Sequence, residues 1–180
     1  MCMNISNVVN PSATLSTHLF SDDGVIPNNP VLPLLVYQEA IVLHQGDPAA
    51  ICEAVFTANG WGSSWRNGIY AFHHYHSTAH EVLAIARGSA RVHLGGEQGV
   101  RLEISAGDVI VIPAGVGHKN LGASPDLLVV GAYPAGQRWD LCDGSPGQRL
   151  KALQNIAAVP LPLTDPVFGK QGPLISRWNG

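Results

Sequence analysis

Residues 68–88 read Gly-Ile-Tyr-Ala-Phe-His-His-Tyr-His-Ser-Thr-Ala-His-Glu-Val-Leu-Ala-Ile-Ala-Arg-Gly. Four of the eight histidines, His73, His74, His76 and His80, fall inside this stretch, and Glu81 follows at once. Alternate side chains on a strand share a face, so His74 and His76 point together into an interior while His73 points the other way. With Glu81 across the next turn and His118 farther along, three imidazoles and one carboxylate make a four-ligand set. That set suits Fe, Mn, Ni, Co or Zn, whereas Mg and Ca call for oxygen ligands.

The pattern around this stretch is that of short strands. Ser89–Leu94 and Val100–Ile104 flank Gly95-Gly96-Glu97-Gln98-Gly99, a five-residue hairpin loop with no helix after it to bind phosphate. Ser105-Ala106-Gly107 turns the chain into the apolar run Asp108–Pro113, and Leu127–Tyr133 supplies another strand. Strands broken by glycine turns without alternating helices predict a sandwich or barrel rather than a βαβ sheet.

Toward the N-terminus, Asp47-Pro48 reads as an N-cap with proline at the first helical position, Ile51, Val55 and Ala58 follow at helical spacing, and Gly60 stops the helix. Val31 to Leu43 reads as one or two strands. Residues 1–30 end in Pro27-Asn28-Asn29-Pro30, which predicts an extended segment draped over the fold. Toward the C-terminus, Leu150, Leu153 and Ile156 predict a helix over Gly147–Val159, and the Pro- and Gly-rich tail from Pro160 to Gly180 is expected as a loop.

Composition limits the function classes. The 180 residues are 46 % hydrophobic and 13 % charged with 20 Gly and 13 Pro, a turn-rich globular composition that argues against disorder. The net charge is −3, and the ten Lys and Arg begin only at Arg66. No basic surface of the kind that grips a phosphate backbone is available, so nucleic acid is not an expected partner. The longest apolar stretch, Val31 to Tyr37, is too short for a membrane span, and Met1 to Ser6 shows no signal-peptide pattern. Cys2, Cys52 and Cys142 give an odd count without CxxC spacing, which speaks against a disulfide framework and for a cytoplasmic location. Cys52 is expected to pack on the helix face.

Gly68, His74, His76, Glu81 and Gly88 stand at the spacing G-x5-H-x-H-x4-E-x6-G, and Gly107, Pro113, Gly115 and His118 at G-x5-P-x-G-x2-H. In these two motifs the chain resembles the cupins. The second motif usually continues with Asn where this chain has Gly122, with Asn120 nearby at a different spacing. Residues 22–30, Gly60-Trp61-Gly62, Ser64 to Gly68 and Pro113 to Asn120 extend the resemblance to small bacterial cupins of the YjlB type over most of the chain. The resemblance implies an all-β protein: an antiparallel double-stranded β-helix, or jelly-roll barrel, with short flanking helices. It also implies a homodimer and one divalent transition metal (Fe, Mn, Ni or Zn) held by His74, His76, Glu81 and His118. Expected divisions are an N-terminal extension with helix over 1–60, the barrel over 61–135, and a C-terminal helix and tail over 136–180.

The remaining polar and aromatic residues carry blander expectations. His80 takes a supporting or surface role, with an acid–base or alternative ligand role as the other reading. Arg91 and His93 share a strand face opposite Val92 and Leu94, and apolar packing turns the latter pair inward. Trp61, Trp65 and Trp139 are read as core or interface anchors, and Arg66 as a surface or structural ion pair. A four-ligand octahedral ion keeps two positions open to a small-molecule substrate, which by itself picks no reaction; the resemblance to cupins that are dioxygenases implies a metal-dependent oxygenase on a small organic molecule. A metal-dependent isomerase or lyase and a non-catalytic binding domain are the alternatives.

Overall fold

The computed structural model describes residues 5–43 and 46–179. A 3-10 turn at Ile5–Asn7 precedes β1 (Thr14–Phe20) and β2 (Asn29–Gln38), which lead into α1 (Pro48–Ala58). Then come β3 (Trp61–Asn67), β4 (Glu81–Arg87), β5 (Ser89–Leu94), β6 (Val100–Ser105), β7 (Val109–Ile112), β8 (His118–Ala123) and β9 (Leu128–Pro134). The chain closes with α2 (Pro146–Ala158) and α3 (Pro173–Trp178). A six-stranded sheet in the order β1-β2-β7-β4-β9-β3 faces a three-stranded sheet in the order β6-β5-β8, and every strand pair is antiparallel.

The central strands of the large sheet, β7, β4 and β9, are buried on both faces, which explains why they read as continuous apolar runs. On β4, Leu83 and Ile85 point inward to meet Val92 and Leu94 of β5 and Ile104 of β6. Val82, Ala84 and Ala86 point the other way, under Ile51, Cys52, Val55 and Phe56 of α1 and Leu174 and Trp178 of α3. The same alternation splits β7, with Ile110 and Ile112 inside and Val109 and Val111 under the helices. Glu81 shares parity with Leu83 and Ile85, so the fold carries a carboxylate into the interior at the mouth end of β4.

Local signals explain the joints. Asp47 accepts a hydrogen bond from Ala49 N at 3.0 Å and Pro48 opens α1, as an N-cap followed by proline requires. Gly88 turns the chain from β4 in the large sheet to β5 in the small one at φ +75°, where a Cβ would meet Leu127 Cα at 2.9 Å.

Three local expectations need correction, and the inward reading of Val92 and Leu94 holds with one addition at His93. The segment before Pro27 does not merely drape, because β1 pairs with β2 from Thr14↔Gln38 to His18↔Leu34 and forms the sheet edge. The tail is not all loop, since Pro173 opens the six-residue α3, whose Leu174 and Trp178 are buried. His93 faces outward with Arg91 as the alternation dictates, yet it is 1 % exposed, because the segment carrying His73 covers it. Trp139 is not a core anchor, being 51 % exposed on the loop after β9. Cys52 and Cys142 are free and buried, while Cys2 and the Met1–Asn4 part of the N-terminal reading lie outside the described residues. No helix among the described residues is long and apolar enough to cross a membrane.

Candidate metal centre

His74, His76 and His118 converge: one nitrogen from each lies within 4.8 Å of the others, and all three residues are buried. His74 reaches the site from a short bridge in which the His74 and His118 backbones pair, with ring centroids 4.0 Å apart. Glu81 arrives from the start of β4, its Oε2 3.2 Å from His76 Nε2 and 3.3 Å from His118 Nε2. The four residues singled out by spacing therefore meet in one place.

The histidine tautomers follow from the backbone. Nδ1–H of His74 donates to the Phe72 carbonyl at 3.2 Å, that of His118 to the Val116 carbonyl at 3.1 Å, and that of His76 to the Asp140 carbonyl. A carbonyl can only accept, so each Nδ1 carries a proton, and in the neutral ring that an ion would bind each Nε2 keeps a lone pair toward the centre. This is the arrangement that outer hydrogen bonds impose on metal-binding histidines.

Glu81 is fixed in the same way. Its Oε1 accepts from the Tyr133 hydroxyl at 2.9 Å, and Tyr133 in turn accepts from Trp65 Nε1 at 2.9 Å. Its Oε2 is buried and takes part in no hydrogen bond of sound geometry. Burial alone would raise the Glu81 pKa, but His76 and His118 hold it below the usual carboxylate range. Burial also lowers His74, to about 3. At His76 burial is outweighed by the Glu81 charge, and the pKa is raised. The electrostatics thus favour positive charge beside Glu81. Three inward Nε2 atoms, an ionised carboxylate and an orphaned Oε2 fit a divalent transition ion.

A cavity of about 290 Å³ opens over these donors. Its walls are largely aromatic and apolar: Trp65, Ile69, Tyr70, Leu83, Tyr133 and Trp139. Trp139 stacks on Tyr133 at 6.1 Å and stands edge-on to His76 at 5.6 Å. Arg66 also lines the rim, but its guanidinium is taken by Glu53 and Asp47, at 2.7 and 2.8 Å. The structural pairing expected of Arg66 is what the chain uses it for.

Other expected residues lie elsewhere. His80 is buried away from the cavity, where its Nδ1 accepts from Ala114 N at 3.0 Å and its ring packs 4.7 Å from Trp178. The surface alternative fails because α3 covers this face, and what His80 supports is the Ala114 backbone rather than a candidate ligand. Asn120 Oδ1 accepts from Gly122 N, a turn within β8. Sequence reasoning missed Tyr133, Asp140 and Tyr70; Trp65 packs against the barrel core as expected and also lines the cavity, as Trp139 does. No motif marks them, although Tyr133 and Trp65 could have been reached by pairing the strands in register.

The family profile described as Cupin domain matches residues 66–130. The uncharacterized protein YjlB of Bacillus subtilis (strain 168) is 44 % identical over 162 residues, covering 90 % of this chain and 95 % of its own. The chain therefore belongs to the cupin family, in its YjlB type. Among solved structures, an 11S globulin from Wrightia tinctoria is similar at 17 % identity and TM-score 0.35, covering 79 % of this chain. The chain spans about 30 % of that globulin's length. An acireductone dioxygenase from Bacillus anthracis, solved with cadmium in its active centre, is similar at 15 % identity and TM-score 0.39, covering 71 % of this chain and 82 % of its own.

Proposed function

We propose that this chain is a metal-dependent oxygenase acting on a small, largely apolar organic molecule, with His74, His76, Glu81 and His118 as ligands of one divalent ion, iron in the working form. The observation that carries the reading is the convergence of three Nε2 lone pairs, each fixed by an Nδ1–H to carbonyl bond, on Glu81 Oε2. Bound there, iron(II) would supply oxidative chemistry with dioxygen as co-substrate, and Mn, Ni or Zn would supply polarisation of a carbonyl or of water.

The chain's own residues supply the rest. Leu83 and Ile69 keep the inner cavity apolar and exclude water from the donors. Trp139 and Tyr70 form a half-exposed aromatic mouth suited to the flat body of a substrate. Arg66 is already neutralised, so an anionic group on the substrate would be met at the ion rather than at the rim.

The test is metal content of tag-free protein by mass spectrometry, followed by oxygen uptake of the iron-loaded protein with thiols, diketones and catechols. Iron retained by wild type and lost by about one equivalent in His118→Ala and Glu81→Ala, together with uptake on one of these classes, supports the reading. Retention in both variants overturns the ligand set. Iron bound as expected but no uptake with any class overturns the oxygenase and leaves redox-neutral chemistry or binding.

A further inference from the structure

A second group of donors converges on the outside of the barrel. His73 turns away from the cavity, and its ring meets that of His93 on β5 with centroids 4.9 Å apart and planes at 55°. Glu97, in the turn after β5, brings Oε1 to 3.4 Å from His73 Nε2. One ligand atom from each of His73, His93 and Glu97 lies within 4.8 Å of the other two.

The two imidazoles are otherwise unexplained. All four of their ring nitrogens are shielded from solvent and have no hydrogen-bond partner among the described residues. Burial holds the His93 pKa below its ordinary value, and the Gly99 backbone, though near, reaches neither ring nitrogen in hydrogen-bond geometry. Buried polar groups are ordinarily satisfied, and two neighbouring rings left with free lone pairs call for a shared acceptor of those pairs. A metal ion is such an acceptor.

The surrounding charges divide. Arg101 on β6 and Lys119 on β8 pair with His93 from either side, and Lys119 Nζ sits 2.7 Å from Glu97 Oε1. Against these cations stand Asp23, Glu97 and Asp143, which with His73 line an adjoining cavity of about 220 Å³. Lys119 holds the same Oε1 that faces His73, so an ion would share that oxygen with Lys119 or take Oε2 after a turn of the exposed carboxylate.

We propose that His73, His93 and Glu97 form a second, outer metal site, independent of the barrel centre, that takes one borderline divalent ion of the zinc type. Two imidazoles and a carboxylate leave the fourth tetrahedral position to water. An ion there fastens the segment bearing His74 and His76 to β5 from behind, on the face opposite the cavity.

The experiment is equilibrium dialysis of metal-free, full-length protein against Zn(II), with bound metal counted by mass spectrometry. Wild type binds about two equivalents, Glu97→Gln and His118→Ala about one each, and the double variant none. The Glu97 side chain is 70 % exposed, so Glu97→Gln leaves the fold intact, and thermal unfolding verifies this. His93→Gln is the second variant and loses the same equivalent. Wild-type stoichiometry and affinity in both folded variants overturns the outer site. Zinc lost through Glu97→Gln but untouched by His118→Ala keeps the outer site and sinks the barrel ligand set instead.

Discussion

The Tyr133 hydroxyl donates to Glu81 Oε1 at 2.9 Å, which turns the other oxygen of the same carboxylate toward His76 and His118. Tyr133→Phe removes that bond and strands both Oε1 and the Trp65 indole N–H. Loss of an outer hydrogen bond of this kind weakens metal affinity by about 10- to 100-fold. Competition with a chromophoric chelator measures it, and an affinity equal to wild type would show that Tyr133 does not position the carboxylate.

Gly131 lies across from Trp65 on the neighbouring strand, and a Cβ there would stand 2.1 Å from the indole Cε2. Gly131→Ala must push the indole out of its place, at an overpacking cost of about 1–3 kcal/mol. Gly62→Ala, on the same strand as Trp65 with nothing within 4 Å of its Cβ, is the control and stays close to wild type. Near-UV circular dichroism and thermal unfolding read both. Equal behaviour of the two variants would refute the close approach as the cause.

Glu53 and Asp47 both ionise more readily than usual because Arg66 hydrogen-bonds each of them. Their folded pKa values lie below the unfolded ones, so this stabilisation is complete above about pH 4.5 and drains away as pH falls through the folded values. Arg66→Ala therefore lowers the melting temperature more at pH 7 than at pH 3. The difference shrinks in 1 M salt, where the screening length is about 3 Å. A variant curve parallel to wild type across that range would contradict the assignment.

His80 is adjacent to Glu81 in sequence but serves the Ala114 N–H on the far side of the sheet. His80→Ala leaves that buried donor unpaired, a loss of about 1–3 kcal/mol in unfolding free energy. Bound metal per folded chain is expected to stay at the wild-type value. A fall in metal content of the folded variant would restore His80 as a ligand.

His74, His76 and Glu81 were legible because ligand spacing along a short segment and across one turn is a local property, whereas His118, four strands on, was reached through the second cupin motif. The hairpin strands β5 and β6 were legible locally too, with glycine turns marking their ends. β1 escaped because Thr14–Phe20 sits at the sheet edge with mostly exposed side chains, so no apolar alternation announces it. α3 escaped because six residues are too few to show a period. The burial of His93 depends on a segment outside its own sheet, and the bond from His76 to the Asp140 carbonyl spans 64 residues of sequence. Contacts of that reach leave no periodic trace.

Trp139 and Asp140 are consecutive, yet one lines the cavity mouth and the other, through its carbonyl, fixes the Nδ1–H tautomer of His76. The Asp140 carboxylate also takes the Ser77 N–H at 2.6 Å, binding this loop to the residue after His76. With an ion held as proposed, a guest that moved Trp139 would pull on the His76 bond through the shared loop. Cavity filling and ion affinity would then be thermodynamically reciprocal: each occupant would change the dissociation constant of the other by the same factor.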